Sequence, residues 1–286
     1  MKKLLVVLLF FICSSLTALT DKPNVLFISI DGLSRDTLYA LLQKDRLPNI
    51  KLITSRGNYR NMVLSPPVFN YKNTYSIFFS GLAAEESSEF DHFTPLPFKT
   101  SIFERLKECD EKIYTGIVLS SPKTPEALDS PGILLKLAKP TIDIVKDERL
   151  RRAHVVSAEV VDTLAQLKPP FFMFFNFVDV EYVGKRYREG AERYSEAVKK
   201  CDTALGDIIE FLKKSDAWDN TEIFLTTNYG YKKRSQEKSD LIWIASTRKI
   251  LKKGTSRDIV PTLYSLYGLD VKETPLDFQN SILISN

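Results

Sequence analysis

The sequence predicts a doubly wound α/β fold, a mostly parallel central sheet with helices on both faces. Three observations carry this expectation. Stretches such as "NVLFISI" (24–30) and "FFMFFNFV" (171–178) are continuous apolar runs without alternation, as strands buried on both faces are. Segments with helical spacing separate these runs, the longest from about Glu192 to Lys214. No internal repeat, low-complexity tract or linker divides the chain, so residues 21–286 read as one domain.

The elements follow in order. "NVLFISI" ends at Asp31-Gly32, a helix is expected from about Asp36 to Gln43, and Pro48 is expected to stop it. A second strand falls near Tyr59 to Leu64. In "SPPVFNYKNTYSIFFSG" (65–81) the Pro pair makes a rigid loop, Asn73 or Thr74 caps a helix and Gly81 ends it. A helix at about Thr100 to Glu108 and a strand at Ile113 to Leu119 come next. Residues 120–148, rich in Ser, Pro and Lys, read as an irregular excursion. Helical spacing returns from Asp147 to Leu167, ahead of the aromatic strand. "TEIFLTT" (221–227) and "DLIWIAS" (240–246) are further strands, and "TSRDIVPTLYSLYGLD" (255–270) is a helix with Pro261 in its first turn.

Among 286 residues the net charge is only +4, with Lys and Arg spread among acids, which gives no footprint for nucleic acid. Lys232-Lys233-Arg234 reads as solvated surface. The chain opens with Met1-Lys2-Lys3, the apolar run "LLVVLLFFI" and a small-residue tail. That pattern is a signal peptide over residues 1–20, shorter than the roughly 20 apolar residues of a membrane span. It implies export to a periplasmic or extracellular compartment, and no later stretch is long and apolar enough to span a bilayer. Bulky Phe11 and Ile12 argue against lipidation of Cys13. Cys109 and Cys201 lie in helix-like segments, so a disulfide between them is allowed but not indicated. Nothing in the sequence sets the oligomeric state.

In open α/β sheets ligands bind beyond the carboxyl ends of the strands. Three buried strands here end in a polar residue: Asp31, Asp179 and Asn228. Two carboxylates and an amide in one crevice suit a hard cation bound through oxygen. Strand ends also need polar residues to start turns and cap helices, and that plainer role competes at each position.

At this point a resemblance enters. "PNVLFISIDGLSRDTL" resembles the opening of the alkaline phosphatase superfamily, which holds nucleotide pyrophosphatases/phosphodiesterases, sulfatases and phosphoethanolamine transferases. "SPPVFNYKNTYSIFFSGL", "PPFFMFFNFVDVEY", "IFLTTNYG" and "GTSRDIVPTLYSLYGLD" resemble its later elements in the right order. The resemblance implies an alkaline phosphatase-like sandwich with Asp31 as the first metal-ligating Asp. Asp179 stands as a second, and Tyr71 lies in the nucleophile slot ten residues before Gly81.

The chemistry departs from the family pattern. Such enzymes resemble one another in using Asp and His to hold cations that activate a Thr, Ser or modified Cys. Here Asn228-Tyr229 stands where the family has Asp-His, and the position after Asp179 where a His is expected carries Tyr182 or Val183. The second Asp adjoining the first in sulfatases is Gly32. His154 reads as a partly buried helix residue and His92 sits at the wrong spacing, so a zinc pair lacks its imidazoles. Thr74 and Ser76 are hydroxyls near Tyr71, more simply a cap and a core-facing residue.

Two main readings result. One is an exported, catalytically degenerate binding or structural module without a cofactor. The alternative is a weak ester hydrolase or transferase with a single Ca or Mg ion on Asp31, Asn228 and Asp179, and Tyr71 or Thr74 attacking. A third, milder reading has the crevice hold a phosphate- or sulfate-bearing ligand through Lys72, Lys185 or Arg186 and the helix after Tyr71.

Overall fold

A computed structural model describes residues 22–83, 95–121, 131–149, 151–269 and 282–284. The expected signal peptide, Cys13 and His92 lie outside the described residues.

β1 (Asn24–Ile30) is buried along its whole length. α1 (Arg35–Gln43) begins at Ser34, whose Oγ accepts from the Thr37 amide at 3.2 Å. α2 (Pro48–Arg56) corrects the sequence reading, because Pro48 opens this helix instead of stopping the one before it. At the first helical position the missing N–H would have had no partner and φ is already helical. β2 (Asn58–Val63) leads to α3 (Tyr71–Ser80), which is capped by neither Asn73 nor Thr74. Asn70, one residue before the helix, has extended backbone and its Oδ1 accepts from the Asn73 amide at 2.7 Å, so Asn73 and Thr74 fall inside the helix. Gly81 ends α3 at φ +80°, as expected of a left-handed cap.

α4 (Ile102–Cys109) carries a capping box between Ser101 and Glu104, and β3 (Tyr114–Ser121) follows. The expected irregular excursion holds α5 (Pro131–Leu134), a 3-10 turn at Lys139–Thr141 and β4 (Ile144–Arg149). β4 occupies the last place in the sheet, paired only with β3, and edge strands tolerate charge, so "IVKDER" lacks the apolar signature of its neighbours. α6 (Ala153–Leu164) therefore starts later than its periodicity suggests. β5 (Phe171–Phe177) runs into α7 (Asp179–Tyr187), a helix the sequence reading passed over, and then α8 (Glu192–Lys214). β6 (Thr221–Thr226) is followed by a ribbon of β7 (Gly230–Tyr231) and β8 (Lys238–Ser239). β9 (Leu241–Ser246), β10 (Gly254–Thr255) and α9 (Ile259–Ser265) complete the order, with Pro261 in the first turn of α9.

Among the described residues the main sheet has eight strands in the order β10-β2-β9-β6-β1-β5-β3-β4. β1 is parallel to β5 and β6, while β9 is antiparallel to β2 and β6. α1, α2, α6 and α7 gather around α8, and α3, α4 and α9 form a second group. Residues 27, 29 and 31 share one side by the two-residue period of a strand, as do 172, 174 and 176. Phe27 and Phe174 stack edge-on at 5.1 Å and meet Phe78 and Phe79 of α3 at 5.4 and 5.0 Å. This aromatic layer fixes α3 over the strand ends. Cys109 is exposed and Cys201 buried, and both are free thiols. No helix among the described residues is long and apolar enough to cross a membrane.

Candidate functional site: a crevice of self-paired acids

Asp31 lies just past β1, fully buried, with its amide donating to Phe177 O at 2.9 Å. Its carboxylate accepts from Ser29 Oγ at 2.6 Å, from Tyr75 Oη at 2.7 Å and from Asn176 Nδ2 at 2.9 Å. Ser29 and Asn176 reach it because they share its side of the sheet, and Tyr75 because α3 crosses above. Burial, followed by the nearby charge of Glu181, raises the Asp31 carboxyl to about 7 against the pull of those three donors. Burial and the Asp31 charge push the Tyr75 phenol well up, so Tyr75 stays a neutral donor.

Asn228 sits beyond β6, where its Oδ1 accepts from the Gly32 amide at 2.9 Å and the Tyr229 amide at 2.8 Å. The amide thus clamps the turn after β1 to the end of β6. Its Nδ2 is buried and meets no partner among the described residues. Tyr229 is fully buried and donates its hydroxyl to Glu181 Oε1, while Lys185 Nζ pairs with the same oxygen at 2.8 Å. Burial and then the Glu181 charge hold the Tyr229 phenol far above its ordinary value. Lys238 Nζ lies 4.3 Å from the centre of the Tyr229 ring and Lys185 Nζ 5.8 Å from that of Tyr71.

Glu181 is the crevice acid that sequence reasoning missed, and Asp179 is not its companion. Two helical positions differ by about 200° in direction, so the two acids of α7 face opposite ways. Asp179 turns to the N-terminus of α6, with Oδ1 3.8 Å from Arg152 Nη1. Its carboxyl is raised by burial, with the Arg152 charge and the Ala153 amide opposing. The signal for Glu181 was its i,i+4 spacing to Lys185.

Tyr71 is buried, stacks on Tyr75 at 5.7 Å, and its hydroxyl meets no partner among the described residues. The Thr74 and Ser76 hydroxyls, fully buried, are also unpartnered. Of the three cations named for an anion, Lys185 faces this crevice, Lys72 is buried in the first turn of α3, and Arg186 lines a groove on the other side of α7. His154 corrects its sequence reading, being exposed on α6 and not partly buried.

The comparisons with known proteins agree with this architecture. The model of the type I phosphodiesterase / nucleotide pyrophosphatase family matches residues 121–262. The human protein Ectonucleotide pyrophosphatase/phosphodiesterase family member 5 is 24% identical over 229 residues, which are 76% of this chain and 47% of that protein. The chain therefore spans about half the length of that relative. Alkaline phosphatase from the Antarctic bacterium TAB5 superposes with a TM-score of 0.61 at 13% identity, over 87% of this chain and 99% of its own. The chain has the alkaline phosphatase-like fold and is similar in sequence to the type I phosphodiesterase / nucleotide pyrophosphatase family. BT1596, a 2-O GAG sulfatase, shares the fold with a TM-score of 0.64 at 14% identity, over 92% of this chain and 73% of its own.

The metal chemistry that the superfamily implies does not fit these side chains. Asp31 is engaged by three donors, Asn228 Oδ1 by two amides, and one oxygen of Glu181 by a phenol and an ammonium. No group of three or more His, Cys, Asp or Glu close enough to hold a metal occurs among the described residues. Gly32 adds a steric reason. At φ +74° a Cβ there would stand 2.7 Å from Glu181 Cα, so no second carboxylate fits beside Asp31. Among the described residues, neither the Tyr71 nor the Thr74 hydroxyl meets a hydrogen-bond partner that would activate it.

Proposed function

We propose that this chain is an exported member of the alkaline phosphatase superfamily that works as a binding or structural module and turns over no ester. The observation that carries the reading is the Asp31 carboxylate, engaged by Ser29, Tyr75 and Asn176 in place of a cation. Glu181 supports it, since its counter-charge is the tethered ammonium of Lys185. A buried carboxylate without such partners would be strongly unfavourable, so the network keeps the inherited crevice stable once no cation holds it together. The Tyr71 hydroxyl and Asn228 Nδ2, which meet no partner among the described residues, with Lys185 5.8 Å from the Tyr71 ring centre, suit a phosphate- or sulfate-bearing ligand held without cleavage. Export rests on the pattern of residues 1–20.

The test joins metal analysis of the purified protein to an activity scan with aryl phosphate, phosphodiester and sulfate esters in Ca, Mg and Zn. The expected result is no stoichiometric metal and no turnover above that of Asp31→Ala. Activity abolished by Asp31→Ala would overturn the reading. It would favour the alternative, a single-cation ester hydrolase with Tyr71 or Thr74 as nucleophile; the phosphodiesterase family model supports ester chemistry in general, and its match, residues 121–262, includes neither residue.

A further inference from the structure

On the side of α7 away from the crevice, the start of α6, the outer face of α7 and the middle of α8 line a groove of about 740 Å³. Sites for small organic ligands run from about 300 to 1,000 Å³. Asp179 lies in this groove, only 5% exposed, and its Oδ2 meets no hydrogen-bond donor among the described residues. A buried acceptor left bare is costly, and it asks for a donor from outside. Arg152, Arg186, Arg193 and Lys200 line the same groove. Glu196 and Asp207 also line it, but Glu196 is paired with Lys199 at 2.6 Å and Asp207 accepts from Ser157 Oγ at 3.3 Å. The groove therefore offers cations at its sides, the charges of Glu196 and Asp207 at its margin, and in its depth a buried carboxylate oxygen of Asp179 that meets no donor among the described residues.

A simple anion would be repelled by Asp179, and a simple cation by the arginines. A ligand that satisfies both brings a neutral donor for Asp179 and separate anionic groups for the arginines and lysine. Tyr182, 40% exposed with the Arg152 guanidinium 5.0 Å from its ring centre, adds an amphipathic flat face on which a sugar ring can lie. We propose that this groove binds an acidic oligosaccharide, with a sugar hydroxyl donating to Asp179 and sulfate groups on Arg152, Arg186 and Lys200. The groove is separate from the crevice and does not depend on whether the crevice is catalytic.

The experiment is calorimetric titration of the full chain with a fully sulfated heparin tetrasaccharide, beside its unsulfated counterpart. Saturable one-to-one binding of the sulfated form is expected, with no measurable binding of the unsulfated one. Arg186→Glu and Lys200→Glu, both at exposed positions, are each expected to weaken binding at least ten-fold without moving Tm. Asp179→Asn, which keeps one acceptor oxygen and adds donors, is expected to weaken it several-fold; should that variant fail to fold, the two charge reversals still decide. Absence of saturable binding overturns the proposal, as does an affinity untouched by both reversals. So does equal binding of a nucleic acid of matched charge, which would reveal only a diffuse field. Loss of affinity in Lys185→Ala but not in Arg186→Glu would put the sugar in the crevice and overturn the groove assignment while leaving the crevice reading intact.

Discussion

Burial draws a proton toward Asp31, and the pH dependence of stability follows from that. The carboxyl stands at about 7 in the folded chain against an ordinary 3.8. Between those values the folded state keeps a proton that the unfolded state releases, so stability falls as pH rises from about 4 to about 7 and levels off above. Each pKa unit is worth about 1.4 kcal/mol, which puts the effect at several kcal/mol in order of magnitude. Asp31→Asn removes this titration while keeping an acceptor for Tyr75 and Asn176. Its Tm, followed by circular dichroism, should exceed that of the parent at pH 8, with the difference shrinking toward pH 4. A variant less stable than the parent at pH 8 would mean that the hydrogen bonds to the ionised form outweigh its burial. Tyr229 acts on the other acid. Tyr229→Phe strips the phenol from Glu181 and leaves Lys185 as its side-chain partner, at a cost of about 1.5–3 kcal/mol, measurable by urea denaturation.

Between elements, the contact of the β1 turn with the first turn of α7 is a tight backbone constraint on the crevice. Gly32 has φ +74°, and a Cβ there would stand 2.7 Å from Glu181 Cα. Gly268 has nearly the same φ, +71°, with nothing among the described residues within 4 Å of its Cβ position. The pair separates conformational strain from collision. Gly268→Ala should cost about 1 kcal/mol, the penalty of the left-handed region alone. Gly32→Ala should cost several kcal/mol more, because backbone must shift and with it Glu181. Equal losses in a thermal melt would show that α7 yields freely. Legibility also varied by element. α8 has the bounds its periodicity predicts, because a long amphipathic helix writes its buried stripe into the sequence. β4 was hidden by its charge at the sheet edge, and α7 by its brevity, nine residues with polar groups on both sides.

Across the whole molecule, stability rests on an apolar sheet whose two central strands, β1 and β5, are buried throughout. Thiol reactivity offers a direct reading of that interior. Cys109 is exposed, whereas Cys201 is buried and burial, then the charges of Asp179, Asp202 and Asp31, push its thiol well up. Of these two, Cys109 should react with a thiol reagent in the native protein and Cys201 only on unfolding. Rapid native modification of both would mean that α8 opens from the sheet far more readily than its packing implies.

By itself the sequence determined the architecture, because strands buried on both faces must be continuous apolar runs and crossover helices must carry an apolar stripe. It also determined, letter by letter, that an amide and a phenol stand at 228 and 229. Only the tertiary structure decided that Glu181 and not Asp179 faces the crevice, since that depends on the phase at which α7 starts. It also decided that Ser29, Tyr75 and Asn176 surround Asp31. Two of these partners lie 44 and 145 positions away in the chain, and no local pattern encodes the packing that brings them together.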